Sequence, residues 1–193
     1  MGGDYFGNAG TFLISTVFGL YILLVLLRFL FQLVRADFYN PISQAVVKLT
    51  NPTLRPLRRV IKGVAGIDVA SVVLLLVLKL VELSLVAAIQ GIGMGFIGLF
   101  VLALAALLQM TLHIFLFAVL IQVILSWVAP HAYNPVSSLL LSLTEPLLRP
   151  ARRLIPAIGG LDFSPIVVLV VLQLSSMLII APLRDLGATL AMA

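Results

Sequence analysis

The chain has 193 residues, of which 62% are hydrophobic and only 10% are charged, and its mean hydropathy is +1.24. Soluble domains have an apolar share near half, so this composition predicts an integral membrane protein. The chain has no cysteine, which excludes disulfides, thiolate metal sites and cysteine nucleophiles. Because the first basic residue is Arg28, we expect the first apolar run to remain as a membrane helix rather than to be a cleaved signal peptide.

The first unit of the chain, residues 1–89, begins with an apolar run long enough to cross a hydrocarbon core about 30 Å thick. Within this unit we predict three segments: a membrane helix over 11–34, a basic loop over 35–68 and a membrane helix over 69–89. In the loop, Asn40 can cap a short helix that begins at Pro41. Asp68 stands where it can cap the second membrane helix and favour its positive N-terminal end.

Residues 90–104 are apolar and rich in glycine, and we predict that they connect two units of similar design. The second unit, residues 105–193, contains three predicted segments: a membrane helix over 105–128, a basic loop over 129–162 and a membrane helix over 163–183. Asp162 is placed to cap the last of these helices. Length alone permits two or three crossings over 69–128, and two crossings put both basic loops on the same side.

The placement of basic residues favours two crossings over 69–128. Loop 35–68 contains six Lys and Arg residues and loop 129–162 contains three, together nine of the chain's twelve. Short loops rich in Lys and Arg stay in the cytoplasm. We therefore predict four membrane helices, with both basic loops on the cytoplasmic side of a bacterial inner membrane.

The two units form an internal repeat with a constant offset of 94 residues and no gap, as from Asn40 to Asn134. The residues shared at this offset include Tyr39/Tyr133, Asn40/Asn134, Pro41/Pro135, Thr50/Thr144, Pro52/Pro146, Arg55/Arg149, Pro56/Pro150, Arg58/Arg152, Arg59/Arg153, Gly66/Gly160 and Asp68/Asp162. The fold class predicted from this pattern is an all-α membrane protein built from two tandem helix-loop-helix repeats.

The basic segment of each loop is amphipathic when its residues are placed on a helix at about 100° per residue. The basic arc carries Arg55, Arg58, Arg59 and Lys62 in the first loop, and Arg149, Arg152 and Arg153 in the second. The opposite arc carries Leu54, Leu57, Val60 and Ile61 in the first loop, and Leu147, Leu148, Ala151, Leu154 and Ile155 in the second. We predict short, proline-kinked interfacial helices whose apolar arcs lie in the membrane surface and whose basic arcs bind anionic headgroups. The alternative is a plain charged loop.

These repeated segments resemble the YggT family of small bacterial and plastid membrane proteins. The resemblance covers nearly the whole chain and rests on Asn-Pro at 40/41 and 134/135, Thr-x-Pro-x-Leu-Arg-Pro-x-Arg-Arg at 50–59 and 144–153, Gly-x-Asp at 66–68 and 160–162, and Ser126-Trp127. An arginine often precedes the loop in this family; Arg28 matches it, whereas its repeat partner is Gln122. The resemblance implies links to osmotic stress, cell division or the assembly of membrane complexes, and no agreed activity.

Polar residues inside the apolar runs are the usual indicators of function in a membrane protein, because each is costly in hydrocarbon. The candidates are Arg28, Lys79, Glu82, His113, Gln122 and Gln173. Lys79 and Glu82 are three residues apart on one helix and can neutralise each other. The structural interpretation is therefore this pair plus amide hydrogen bonds between helices. The functional alternative is a proton or ion pathway lined by Lys79, Glu82 and His113.

The sequence contains no paired-histidine metal motif, no Gly-x-Ser-x-Gly elbow and no phosphate-binding glycine loop. We therefore predict a protein that is not an enzyme and needs no cofactor or metal. The favoured function is an inner-membrane organiser or assembly factor whose loops bind anionic lipid and a partner membrane protein, with a homo-oligomer allowed and no nucleic acid expected. The alternative is a small channel or transport component that acts in osmotic or ion homeostasis.

Overall fold

The computed structural model describes residues 3–64, 66–128, 134–155 and 162–192. The helices are α1 (Gly3–Leu33), α2 (Pro41–Val60), α3 (Val69–Gln90), α4 (Phe96–Val128), α5 (Pro135–Leu154), α6 (Ser164–Ser175) and α7 (Ala181–Met192), with a π-helical segment (Ser176–Ile180) between α6 and α7. The described residues form no β-strand. The predicted all-α fold is therefore confirmed.

Four helical stretches are long and apolar enough to cross a membrane, as predicted. They are Tyr5–Leu33, Val69–Gln90, Phe96–Val128 and Ser164–Met192. The last stretch combines α6, the π-helical segment and α7 into one continuous rod. The shorter helices α2 and α5 connect the first pair and the second pair of these stretches, so each half of the chain is a helix-loop-helix unit.

The link between the two halves is shorter than the predicted connector over 90–104. Helix α3 ends at Gln90 and is capped by Gly91 in a left-handed conformation (φ 68°), and α4 already begins at Phe96. The last helix also continues to Met192 rather than ending at residue 183. The added turns at the start of α4 and at the end of α7 lie against each other. The Gly95 backbone N–H, just before α4, donates to Ala191 O of α7 at 3.0 Å.

Gly98 makes this contact between α4 and α7 possible. A Cβ atom at Gly98 would lie 2.1 Å from the Ala191 backbone nitrogen, and a Cβ atom at Gly187 would lie 3.0 Å from Leu102. Small residues let two membrane helices approach closely enough for extensive van der Waals contact. Tertiary packing thus extends both helices beyond the ends that the sequence predicts.

Helices α2 and α5 are longer and more regular than the predicted kinked segments. Each is a continuous helix of 20 residues that begins at the proline after its Asn cap and has two prolines inside it. Proline inside a helix removes a hydrogen bond and normally bends or breaks it. Leu54 of α2 and Leu148 of α5 are only 0% and 1% exposed, and fully burying a leucine contributes about 1.5–3 kcal/mol. Packing therefore offsets the cost of the prolines.

The apolar arcs of α2 and α5 pack against the protein's own membrane helices, which the sequence did not predict. Leu54 belongs to a core cluster with residues of α1 and α3, namely Ile22, Val25, Leu26, Leu30, Leu74 and Leu75. Leu148 belongs to a second cluster with Val119, Val168 and Leu172. Val60 and Leu154, which were also assigned to these arcs, are instead 84% and 80% exposed.

Helices α2 and α5 lie at the same end of the bundle, which we call the basic end. Asn40 joins them, because its Nδ2 donates to Pro135 O at 2.7 Å. The same side chain caps α2, since its Oδ1 accepts from the Ile42 backbone N–H at 2.9 Å. Asn134 caps α5 in the same way through the Ser137 backbone N–H at 2.8 Å. The repeated Asn-Pro pairs thus start both helices and fix their relative position.

Candidate functional site at the basic end

Helices α2 and α5, with Lys62 just after α2, present a basic face of five exposed side chains: Arg55, Arg59, Lys62, Arg149 and Arg153. None of the five pairs with a carboxylate in the part of the chain that the structure describes. The opposite sides of the helices are fixed in the core by Leu54 and Leu148, so the basic face has a defined orientation. Exposed Val60 and Leu154 lie next in sequence to Arg59 and Arg153. Each helix therefore ends in adjacent cationic and apolar groups.

Arg58 and Arg152 have a different environment from the other predicted basic residues. Arg58 Nε donates to Asp68 Oδ2 at 3.1 Å, and Arg152 Nε donates to Asp162 Oδ2 at 2.9 Å. Arg152 also donates from Nη1 to Glu145 Oε2 at 3.1 Å. These equivalent pairs join the end of each loop helix to the start of the next membrane helix. Sequence spacing put all the arginines in one group, but these two are bound by carboxylates.

Asp68 and Asp162, the two predicted caps, lie just before α3 and α6. Asp68 occupies the N-cap position, yet its carboxylate accepts from the Arg58 and Ser71 side chains rather than making a cap hydrogen bond to the backbone. Burial favours a raised pKa for Asp68, but these hydrogen bonds outweigh burial and hold the pKa below its usual range.

Asp162 contacts the start of α6, as predicted, in addition to its ion pair with Arg152. Its Oδ1 accepts from the Ser164 backbone N–H at 2.9 Å, so it satisfies one amide at the start of α6. Burial acts to raise its pKa, but the hydrogen bonds from Ser164 and Arg152 lower it overall. The hydrogen bond to Asp162 in turn raises the pKa of Arg152. Both aspartates are therefore ionised at neutral pH.

Arg28 and Gln122 occupy equivalent places and bind equivalent threonines. Arg28 Nη1 donates to Thr50 Oγ1 at 2.7 Å and to Asn51 Oδ1 at 3.0 Å. Gln122 Oε1 accepts from the Thr144 hydroxyl. The two threonines are both 0% exposed. A polar side chain on the first helix of each repeat thus holds the loop helix of that repeat, although only the first repeat uses a charge.

Lys79 and Glu82 form an ion pair on α3, with Lys79 Nζ at 2.8 and 2.9 Å from the two carboxylate oxygens of Glu82. The side chains are 18% and 7% exposed. This is the geometry of the structural interpretation, in which the pair is neutralised locally. His113 is not part of it.

His113 lies on α4 in a separate polar chain. Its Nε2 is 2.9 Å from Gln109 Nε2, and Ser176 Oγ donates to Gln109 Oε1 at 2.8 Å. Ser176 is the first residue of the π-helical segment, so the chain links α4 to the last helix. Sequence reasoning missed Gln109, although its position four residues before His113 was the available signal. Gln173 is exposed on α6.

The described residues contain no group of three His, Cys, Asp or Glu side chains that could hold a metal ion. The polar groups of the structure instead form local pairs that connect helices. The part of the molecule with the most concentrated unpaired charge is the basic end, which combines the basic face with Arg28 and Arg35 nearby.

Comparisons with known proteins agree with the duplicated architecture. A family model described as CCB3/YggT matches twice, over residues 7–89 and 101–183. An uncharacterised protein of Pseudomonas aeruginosa is 48% identical over 90% of this chain and 89% of its own. An uncharacterised protein of Vibrio alginolyticus is 45% identical over 89% and 93% of the two chains. Escherichia coli YggT, also uncharacterised, is 39% identical over 93% and 94%. No solved structure gives a significant match.

Proposed function

The chain belongs to the CCB3/YggT family, and on that premise we propose that it is a non-enzymatic organiser of the bacterial inner membrane. In this proposal both loop helices lie on the cytoplasmic side, where the basic face holds anionic headgroups and a partner membrane protein. The observation that carries the proposal is that the two sides of α2 and α5 have different environments. Their apolar sides pack inside the protein, while the five cations of the basic face remain exposed and form no salt bridge among the described residues.

Physical magnitudes support lipid as the first ligand of this face. A Lys or Arg near an anionic membrane surface contributes about 1 kcal/mol, and this attraction falls off within a Debye length of about 8 Å at physiological salt. Five such residues on two anchored helices can therefore hold several headgroups at once. Exposed Tyr39 and Trp127, at 82% and 77%, are suited to the membrane interface at the same end.

A partner within the membrane is supported by the polar residues that α4 and α6 leave exposed. His113 and Gln173 are exposed on helices whose surroundings would be hydrocarbon. Polar side chains in that environment are costly and commonly form hydrogen bonds to a neighbouring helix. The proposal therefore places a helical partner, of this chain or another, against α4 and α6.

The channel alternative would require the polar groups of the membrane helices to line a common path. Lys79 and Glu82 neutralise each other on α3, whereas His113 lies within hydrogen-bonding distance of Gln109 on α4. Among the described residues, no hydrogen bond joins these two groups. We therefore favour the organiser over the channel.

Photo-crosslinking in intact membranes, combined with flux assays, tests the proposed function. A crosslinking residue at position 59 or 153 should capture anionic lipid and a specific membrane protein, while position 93, at the opposite end, serves as the control. Replacing Arg55, Arg149 and Lys62 with Gln should weaken both captures in a salt-dependent way. Reconstituted vesicles should show no more ion flux than empty vesicles. Selective flux that needs His113 or the Lys79–Glu82 pair would overturn the organiser in favour of a channel.

A further inference from the structure

A pocket of about 430 Å³ opens at the basic end, between the last turn of α1 and helix α2. Its polar wall consists of Arg28, Gln32, Arg35, Ser43 and Arg58, and Phe38 lies on its apolar wall. Small-molecule sites typically measure about 300–1,000 Å³ and combine an apolar lining with a few convergent polar groups. Three of the polar groups here are guanidiniums, so the pocket is suited to an anion.

Arg28 is the innermost of these cations and is only 7% exposed. Its Nη1 atom donates to three neutral acceptors on α2, which are Val47 O, Thr50 Oγ1 and Asn51 Oδ1. Within the described part of the chain, its Nε and Nη2 atoms have no acceptor and no carboxylate pairs with it. The Nε–Nη2 edge is a fork that binds two oxygens of a carboxylate or phosphate group.

Ser43 provides an independent observation in the same pocket. It is 4% exposed, and its Oγ atom is buried without a hydrogen-bond partner among the described residues. Unpaired buried hydroxyls are uncommon in folded proteins. In the second repeat the equivalent Ser137 Oγ donates to Asn134 Oδ1 at 3.1 Å. The hydroxyl in the first repeat is thus left available to a ligand, although its repeat partner is not.

Arg35 lies at the pocket in a strained backbone conformation. Its φ of 54° is in the left-handed region, and it lies two residues after Leu33, the last residue of α1. The Ala36 N–H donates to Phe31 O at 2.8 Å and the Arg35 N–H donates to Gln32 O at 3.2 Å, which is the hydrogen-bond pattern of a Schellman motif. Glycine or asparagine is usual at this position. Strained residues of this kind cluster at functional sites.

The carboxylates of the first loop neutralise only one of the three guanidiniums of the pocket. Asp68 accepts hydrogen bonds from Arg58. Asp37 Oδ1 accepts from the Tyr39 backbone N–H. Neither forms an ion pair with Arg28 or Arg35 in the structure. Two of the three guanidiniums therefore contribute uncompensated positive charge.

We propose that this pocket binds one phosphate ester per chain, with Arg28 and Arg35 as charged donors and Ser43 as a neutral donor. An anionic phospholipid headgroup and a soluble phosphate ester both offer this chemistry. Arg28 lies five residues before the end of α1, about 8 Å along the helix axis, which is within reach of the headgroup region. The second repeat has Gln122 and Ala129 at the equivalent positions, so its site lacks both charges.

This inference does not rest on the proposed function, because none of the five residues of the basic face lines the pocket. The basic face can hold a membrane surface without any pocket ligand. Conversely, the pocket can hold a phosphate ester in a protein that is not an organiser.

Titration of the purified, delipidated full chain in a neutral detergent tests the proposal. The probes are short-chain phosphatidylglycerol, short-chain phosphatidylcholine and glycerol 3-phosphate. A ligand that binds only the folded protein raises the Tm in a saturable way, and native mass spectrometry counts the bound molecules. Saturation by phosphatidylglycerol alone, at one per chain, identifies a lipid headgroup. Equal saturation by glycerol 3-phosphate identifies a soluble ester.

The variant Arg28→Gln separates binding from folding, because Gln122 makes the matching contact in the second repeat. We expect it to fold and to lose at least about tenfold in affinity, as removal of a charge-assisted hydrogen bond predicts. Arg35→Gly should also weaken binding, while keeping or raising the Tm without ligand, because glycine adopts the left-handed conformation without strain. Arg59→Gln, outside the pocket, should stay within about twofold of the parent affinity.

Two results would overturn the proposal. The first is that no probe with a phosphate ester gives saturable binding to the parent protein. The second is that folded Arg28→Gln and Arg35→Gly proteins bind as tightly as the parent. Equal saturation of the parent and of both variants by the zwitterionic phosphatidylcholine, which carries the same phosphodiester, would count with the second result, because the two arginines would then not contribute to binding.

Discussion

Arg28 on α1 donates a hydrogen bond to the Thr50 hydroxyl on α2 at 2.7 Å, between residues that are 7% and 0% exposed. At the same offset that relates the two repeats, Gln122 accepts from the equally buried Thr144. The two repeats thus share a hydrogen bond between the membrane helix and the loop helix, made by a charged guanidinium in the first repeat and by a neutral amide in the second. The contact explains how both basic loop helices are held at one end of the bundle.

The threonine contact predicts an unequal cost of the same substitution in the two repeats. Thr50→Val removes an acceptor from a buried guanidinium and should destabilise the protein by about 1–3 kcal/mol. Thr144→Val removes a neutral hydrogen bond and should cost about 1 kcal/mol. Unfolding of the purified proteins in detergent, followed by circular dichroism, measures both. An equal or larger cost for Thr144→Val would contradict the assigned role of the Arg28 charge.

The close approach of α4 to α7 predicts that a single methyl group at Gly98 is harmful. Its Cβ would lie 2.1 Å from the Ala191 nitrogen, so Gly98→Ala must separate the helices and should cost about 1–3 kcal/mol. The matched control is Gly19→Ala on α1, where a Cβ meets nothing within 4 Å. That change should be neutral or stabilise by up to about 1 kcal/mol. Thermal unfolding measures both variants, and an equal change in Tm for Gly98→Ala and Gly19→Ala would contradict the close contact.

The ion pair on α3 predicts that single and double substitutions differ. Lys79→Met or Glu82→Leu alone leaves a buried charge unpaired, which should cost about 3 kcal/mol. The double variant removes both charges and should be near the parent in stability. Membrane yield and detergent unfolding measure this difference. Equal losses in all three variants would show that the two residues do not act as a pair.

The lowered pKa values of Asp68 and Asp162 predict acid sensitivity. A carboxyl whose pKa is lower in the folded state stabilises the protein above its unfolded pKa, near 3.9, and loses that contribution as the pH falls through the folded pKa. Unfolding measured from pH 6 down to about pH 3 should therefore show declining stability below pH 4. Asp68→Asn should flatten this decline more than Asp162→Asn, because the side chains are 7% and 38% exposed. An unchanged pH profile in Asp68→Asn would refute the linkage.

Much of this fold can be predicted from patterns that are visible in the sequence. Four apolar runs, arranged as two pairs that each flank a basic loop, predict four membrane helices in two repeats, because an apolar run of about 20 residues can cross the hydrocarbon as a helix that satisfies its own backbone. The Asn40-Pro41 and Asn134-Pro135 pairs likewise predict where α2 and α5 begin. These signals are local, so they can be identified without knowledge of tertiary contacts.

The features that the sequence did not predict depend on tertiary contacts, that is, on which helix packs against each helix face. Helical periodicity shows that Leu54 and Leu148 share an apolar arc, but not that α1, α3, α4 and α6 bury it instead of lipid. The early start of α4 likewise depends on the fit of Gly98 to Ala191. The pocket beside Arg28 was missed because Arg35 and Ser43 belong to it only through the turn after α1. The bends of the chain, rather than its periodicity, bring these residues together.

Cysteine labelling tests the central claim, that both basic loop helices lie on the cytoplasmic side of a four-helix membrane protein. The chain has no cysteine, so single cysteines can be placed at Val60 and Leu154, which are 84% and 80% exposed, and at Gly93 in the short link between α3 and α4. In spheroplasts, an impermeant thiol reagent should label position 93 directly, and positions 60 and 154 only after the membrane is opened. Labelling of position 154 from outside, with position 60 protected, would place the two basic helices on opposite sides and contradict the account.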